Sequence, residues 1–182
     1  MRLFIAVDFN DEILDMLRNC QRQLQAQVRS ASLTAEENLH LTLAFLGETE
    51  EPGRAIQAMK NIILPSFPLR VGGKAGHFGD LWWIGTEESR SLARLADTLK
   101  KHLREEGFFI EEKKFRPHIT IARRVVPIQN QREIRLHAPK KEMTVSGFSL
   151  MKSERSGGRL RYTELYWKSL SEGKNAENDG KK

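Results

Sequence analysis

Apolar residues recur along this chain in two rhythms, and the switches between them mark out its elements. Leu3–Asp8 begins with an unbroken apolar, β-prone run, which predicts a buried strand. From Ile13 the spacing turns helical. Ile13, Leu17, Cys20, Leu24 and Val28 fall on one face, behind a cap near Asn10 or Asp11. Ser30–Asn38 is polar and predicts a connection, and His40–Leu46 follows as a strand that Gly47 ends. Glu50-Glu51-Pro52 opens a second helix, with proline in the first turn, where its missing N–H does no harm. Ile56, Met59, Ile62 and Ile63 should face inward there, and Pro65 stops the helix.

Phe67–Val71 and Leu81–Gly85 predict paired strands joined by a glycine-rich hairpin loop from Gly72 to Gly79. That loop matches no phosphate-binding pattern. Trp82 and Trp83 take opposite faces, one of them core. Ser89–Glu106 is a third helix with Leu92, Leu95, Leu99 and Leu103 as its buried stripe and Gly107 as its C-cap. His102 lies at the edge of that stripe. Phe108–Ile110 starts a strand, and Phe115-Arg116-Pro117 leads into another, His118–Arg124. Pro127–Asn130 predicts a loop. Met143–Lys152 and Leu160–Leu170 predict two strands joined by a basic turn, Ser153 to Gly158. Residues from Ser171 to Lys182 predict a disordered tail, leaving 1–170 as one domain. Interspersed helices with evident hairpins make the class α+β.

Lys and Arg number 30 against 24 Asp and Glu, a net charge of +6. The tail from Ser171 is neutral by count, so the excess sits on the folded body. A basic body draws polyanions such as nucleic acid by counterion release. The single cysteine, Cys20, leaves no internal disulfide and suits a reducing compartment. The N-terminal apolar run is too short for a signal peptide or a membrane span. The expectation is a cytoplasmic protein with no membrane partner, and nothing in the pattern requires more than a monomer.

One short pattern appears twice. His40-Leu41-Thr42-Leu43 is followed, 78 residues later, by His118-Ile119-Thr120-Ile121. Strand side chains alternate faces, so in each copy His and Thr share one face while the aliphatic residues press into the core. Two copies face to face would set two imidazoles and two hydroxyls around one cavity. Such a site suits displacement at phosphorus: a neutral His takes a proton from water and a protonated His gives one to the departing oxygen. Thr42 and Thr120 would hold the non-bridging oxygens. Positions 118, 120 and 122 share a face but 123 does not. Alternation therefore favours Arg124 for phosphate contact and admits Arg123 only at a strand end or bulge. A catalytic zinc site usually takes three protein ligands, and Thr is a poor one, so no metal and no other cofactor is expected. No nucleophile–base–orienter triad stands out. His77 and His137 lack a motif context and read as structural or surface residues.

The flanks narrow the reading. Arg2-Leu3-Phe4-Ile5-Ala6-Val7, Glu37 through Gly47, and Phe115 through Arg123, with Ser153, Gly158, Tyr162 and Leu165, resemble the RNA 2′,3′-cyclic phosphodiesterases. These were historically called 2′-5′ RNA ligases, within the two-histidine phosphoesterase superfamily. The resemblance runs from Met1 to about Leu170 and implies a bilobal α+β fold with pseudo-twofold symmetry around a metal-free cleft. It implies hydrolysis of RNA-terminal 2′,3′-cyclic phosphate to a 2′-phosphomonoester, with 2′-5′ ligation as a reversible side of the same chemistry. Carried over, His40 is the general acid on the 3′ oxygen and His118 the general base on water. Thr42 and Thr120 grip the phosphate, and Arg123 matches the family's arginine after the second motif. A pseudo-symmetric site could also run with the two His roles exchanged. Two other readings stay open on the residues alone: a module that binds RNA ends without turnover, and a phosphodiesterase for small cyclic nucleotides.

Overall fold

The computed structural model describes residues 1–128 and 133–172. Its first strand, β1 (Arg2–Val7), is buried from Leu3 to Val7, as a strand with a neighbour on each side and cover on both faces must be. Asn10 caps α1 (Asp11–Gln25): its side-chain oxygen accepts the Ile13 N–H at 3.1 Å, filling one of the helix's orphan donors. Strands β2 (Val28–Leu33) and β3 (Leu41–Glu48), helix α2 (Pro52–Lys60), and strands β4 (Phe67–Phe78) and β5 (Leu81–Thr86) follow. Then come α3 (Arg90–Glu105), capped by the Ser89 hydroxyl, and β6 (His118–Pro127), β7 (Lys141–Val145), β8 (Gly147–Ser156) and β9 (Arg159–Ser169).

The strands form two sheets, both antiparallel, in the orders β3-β1-β8-β9 and β2-β6-β5-β4-β7. One motif strand lies in each sheet, and β3 and β6 lie against each other where the sheets meet. Helix α1 leaves the four-stranded sheet but packs on β2, β6 and β7 of the other. Helix α3 leaves the five-stranded sheet and packs with α2 beneath the four-stranded one. Each lobe is thus closed by a helix that the chain delivers from the other. A single apolar cluster runs from Leu3 to Leu170 through both lobes. Its fully buried Leu and Ile side chains each contribute roughly 1.5–3 kcal/mol over leaving them exposed. This is the α+β, two-lobed architecture that the sequence predicts.

Several local expectations give way to tertiary context. Val28 belongs to β2, not to the α1 stripe, because α1 stops at Gln25. The polar stretch Ser30–Asn38 is mostly an edge strand, followed by a 3-10 turn at Glu36–Asn38. Pairing with β6 overrides its weak β propensity. The glycine-rich segment is strand, not loop: β4 runs on to Phe78, and only Gly79-Asp80 turns the hairpin. Two extra residues, Gly72 and Gly73, bulge out of β4 with φ of 106° and 75°. A Cβ on Gly72 would lie 2.5 Å from the Pro139 carbonyl oxygen, so this approach needs glycine.

Ile63 lies past the end of α2 and is 88% exposed rather than inward. Phe108–Ile110 makes no strand; Ile110 is buried and Phe108 packs partly against the core, while Phe109 stands in solvent. Trp82 and Trp83 do take opposite faces; both are half-buried, and Trp82 packs against the edge of the core. The last hairpin turns over just Gly157-Gly158, both with positive φ as a type I′ turn requires. The expected loop at Pro127–Asn130 begins later than predicted, since β6 includes Pro127, and its end lies outside the described residues. The predicted tail also falls outside them from 173 onward, while Ser171 bridges to Pro65. No helix of the described residues is long and apolar enough to cross a membrane.

Candidate active site

Both motif strands carry the same irregularity. On β1, Ile5 pairs with Ala44 but Ala6 pairs with Thr42, so Leu43 is an extra residue in β3. On β5, Trp82 pairs with Ala122 but Trp83 pairs with Thr120, so Ile121 is an extra residue in β6. Each bulge falls on the last residue of its His-x-Thr-x motif. An inserted residue reverses the alternation beyond it. Leu43 and Ala44 are therefore both buried, as are Ile121 and Ala122. The next residues, Phe45 and Arg123, return to the face that carries the His and the Thr.

The second bulge has its own support. Its free carbonyl, Ile121 O, accepts from the Gln21 side-chain amide at 2.9 Å and from the Thr34 N–H at 2.9 Å. The same Gln21 amide donates to Thr34 O, and the Thr34 hydroxyl donates to Thr120 O at 2.9 Å. Gln21 sits on the buried face of α1, so the helix clamps the motif strand from behind. Replacing Gln21 with Leu takes a donor from Thr34 O and one of its two donors from Ile121 O, a cost of about 1–3 kcal/mol. The expected outcome is a lower thermal midpoint by calorimetry, with activity at moderate temperature reduced as the bulge loosens.

The two imidazoles are anchored alike. His40 Nδ1 lies 2.7 Å from Asn38 O, and His118 Nδ1 lies 2.8 Å from Arg116 O, each two residues upstream. A carbonyl only accepts, so Nδ1 carries a hydrogen in both rings and Nε2 is the working nitrogen. His40 Nε2 lies 3.0 Å from the Thr42 hydroxyl. Burial lowers the His40 pKa first; the Asn38 carbonyl opposes this, and the charges of Arg123 and His118 lower it further. Those last two causes mean that a residue from the other lobe's motif and its arginine both reach the His40 field.

Aromatic rings flank both imidazoles. Phe4 and Tyr162 lie 4.8 and 5.3 Å from the His40 ring, with Tyr162 edge-on. Phe45 is 66% exposed and 6.2 Å from Phe4, next to this cluster. Phe78 meets His118 edge-on at 5.5 Å. Burial raises the Tyr162 pKa against Arg123 and Arg2, which keeps its hydroxyl a neutral donor.

All five residues predicted for the site, His40, Thr42, His118, Thr120 and Arg123, come to this one junction of β3 and β6. Arg124 does not. Its backbone takes a φ of 51°, and its Nε donates to the Ser32 hydroxyl on β2. Simple alternation put Arg124 rather than Arg123 on the motif's face because it could not count the bulge. Phe45 and Gln21 escaped sequence reasoning altogether. The offset was there to be used, since Phe45 follows His40 by five as Arg123 follows His118. Cys20 is fully buried, and burial pushes its thiol up to about 11, so it serves as a core residue of α1. Among the described residues no three His, Cys, Asp or Glu side chains come together as a metal site.

The model of the 2′-5′ RNA ligase superfamily matches residues 10–157. The chain belongs to that superfamily. It is 36% identical over 133 residues to the RNA 2′,3′-cyclic phosphodiesterase of Thermotoga maritima, covering 68% of this chain and 70% of that one. Against the Escherichia coli RNA 2′,3′-cyclic phosphodiesterase it is 32% identical over 171 residues, 90% of this chain and 93% of that one. Among solved structures, E. coli LigT complexed with 3′-AMP superposes with a TM-score of 0.76 at 28% identity, covering 94% of this chain and 98% of that chain. A superfamily matched over this length and a shared fold agree with the doubled motif.

Proposed function

We propose that this superfamily member opens the 2′,3′-cyclic phosphate at RNA ends to a 2′-phosphomonoester. The observation that carries the reading is the pair of imidazoles, each fixed through Nδ1, that share one electrostatic field across the junction of two lobes. Relatives named for this activity support it. In the proposed reaction His118 Nε2 takes a proton from water, whose oxygen attacks phosphorus. The P–O3′ bond breaks, and His40 gives its proton to the departing 3′ oxygen. Thr42, Thr120 and Arg123 hold the non-bridging oxygens as charge builds on them. Phe45, backed by Phe4, is the face on which the terminal base stacks, next to the His that protonates that nucleotide's own oxygen. With an RNA 5′-hydroxyl in place of water, the same proton transfers make a 2′-5′ linkage.

In this reading residues 1–170 act as one bilobal unit, a monomer working on cytoplasmic RNA. The two imidazoles supply all the proton transfer and need no metal. The test is an oligonucleotide ending in 2′,3′-cyclic phosphate, incubated with and without chelator. The expected result is the 2′-phosphomonoester at equal rates in both. Binding without turnover, or loss of activity with chelator that added metal restores, overturns the reading.

A further inference from the structure

In the hydrolysis proposed above the nucleophile on the His118 side is a water, and none of its steps employs the aromatic surface there. Phe78 is 45% exposed at the end of β4, just before the Gly79-Asp80 turn. Its ring lies 5.4 Å from Trp83 and 5.5 Å from His118, edge-on to the imidazole. Trp83 pairs with Thr120 and shares its face, and its ring closes on Gly76, where a Cβ would come within 2.5 Å of the indole. Gly85 pairs with His118, and the Trp83 ring and the Lys74 Cβ cover it, so an aromatic surface runs sideways from the imidazole through Trp83 to Phe78. Lys74, whose Cβ borders Gly85, continues that row with a cation.

From this arrangement we propose that Phe78, tilted against Trp83, seats the nucleoside at the 5′ end of a second RNA strand. The inference rests on the reading of His40 and His118 given above. The seated nucleoside presents its 5′-hydroxyl to His118 Nε2, which takes the proton as the oxygen attacks phosphorus. The P–O3′ bond breaks with the His40 proton going to O3′, and the product is a 2′-5′ phosphodiester. Lys74 then meets the next phosphate of the incoming strand. That surface makes the nucleophile selectable: water needs no seat, whereas an RNA end gains one.

The test measures the ratio of joined to hydrolysed product when a cyclic-phosphate oligonucleotide reacts with excess 5′-hydroxyl oligonucleotide. Phe78→Ala should lower that ratio at least about fivefold, the low end of what one base–aromatic stack contributes. Phe78→Trp should hold it. A second arm needs no variant: an acceptor lacking its 5′-terminal base should join less well with the unaltered protein. That deficit should vanish in Phe78→Ala, because the two changes remove the same contact. Equal loss of joining and hydrolysis in Phe78→Ala, or no difference between the two acceptors, overturns the inference and leaves the hydrolase reading standing. Failure of the unaltered protein to open the cyclic phosphate at all overturns both.

Discussion

His40→Ala and His118→Ala should each cut kcat/KM for the cyclic phosphate by about 10²–10⁴-fold, the size of a general acid–base contribution. The two losses should separate when sulphur replaces the 3′ bridging oxygen of the substrate. An alkoxide leaves poorly without a proton, whereas a thiolate, with a pKa of about 8.5 for its acid, leaves unaided. A protein lacking its general acid should therefore recover most of its rate on the sulphur substrate, and one lacking its general base should not. The assignment of His40 as acid predicts rescue of His40→Ala alone. Rescue of His118→Ala instead would exchange the roles, and rescue of neither would remove both from proton transfer to the leaving group.

What the sequence made visible follows from which interactions are local. The pairing of His with Thr on one face needs only the two-residue period of a strand, so both motifs could be placed before any fold was known. Caps at Asn10 and Ser89 are set by the first turn of each helix, and those helices start where the pattern says. The bulges at Leu43 and Ile121 are different, because they exist only as a mismatch with β1 and β5. Nothing within His40–Phe45 or His118–Arg123 marks the extra residue, and so the parity of Arg123 could not be read correctly from alternation. The edge strand β2 was invisible for a related reason: its residues are polar, and its strand character comes from β6. The glycines of β4 read as loop because glycine frees the backbone, yet here they let Pro139 and Trp83 come close. Gln21 had the period of a core position and the chemistry of a surface one; only the Thr34 and Ile121 carbonyls to which its amide donates explain it.

Arg123→Gln should cost about 10²-fold in kcat/KM, the usual loss when one charge-directed donor is removed from a developing oxyanion. Its second effect is on the pH profile, and the sign is fixed by the site. Burial, then the Arg123 and His118 charges, hold the His40 pKa below its ordinary value. His40 works protonated and His118 neutral in the proposed reaction, so the profile is a bell and one of its limbs carries His40. Removing the Arg123 charge lets His40 hold its proton more easily, so the limb that His40 governs should move to higher pH. Folding should feel the same change. The folded state disfavours charged His40, so stability is full above the unfolded value of about 6.5 and falls between there and the depressed folded value. Arg123→Gln should narrow that window, visible as a thermal midpoint less sensitive to acid. Two limbs that both stay in place while activity falls would mean that Arg123 contacts phosphate without sharing the His40 field.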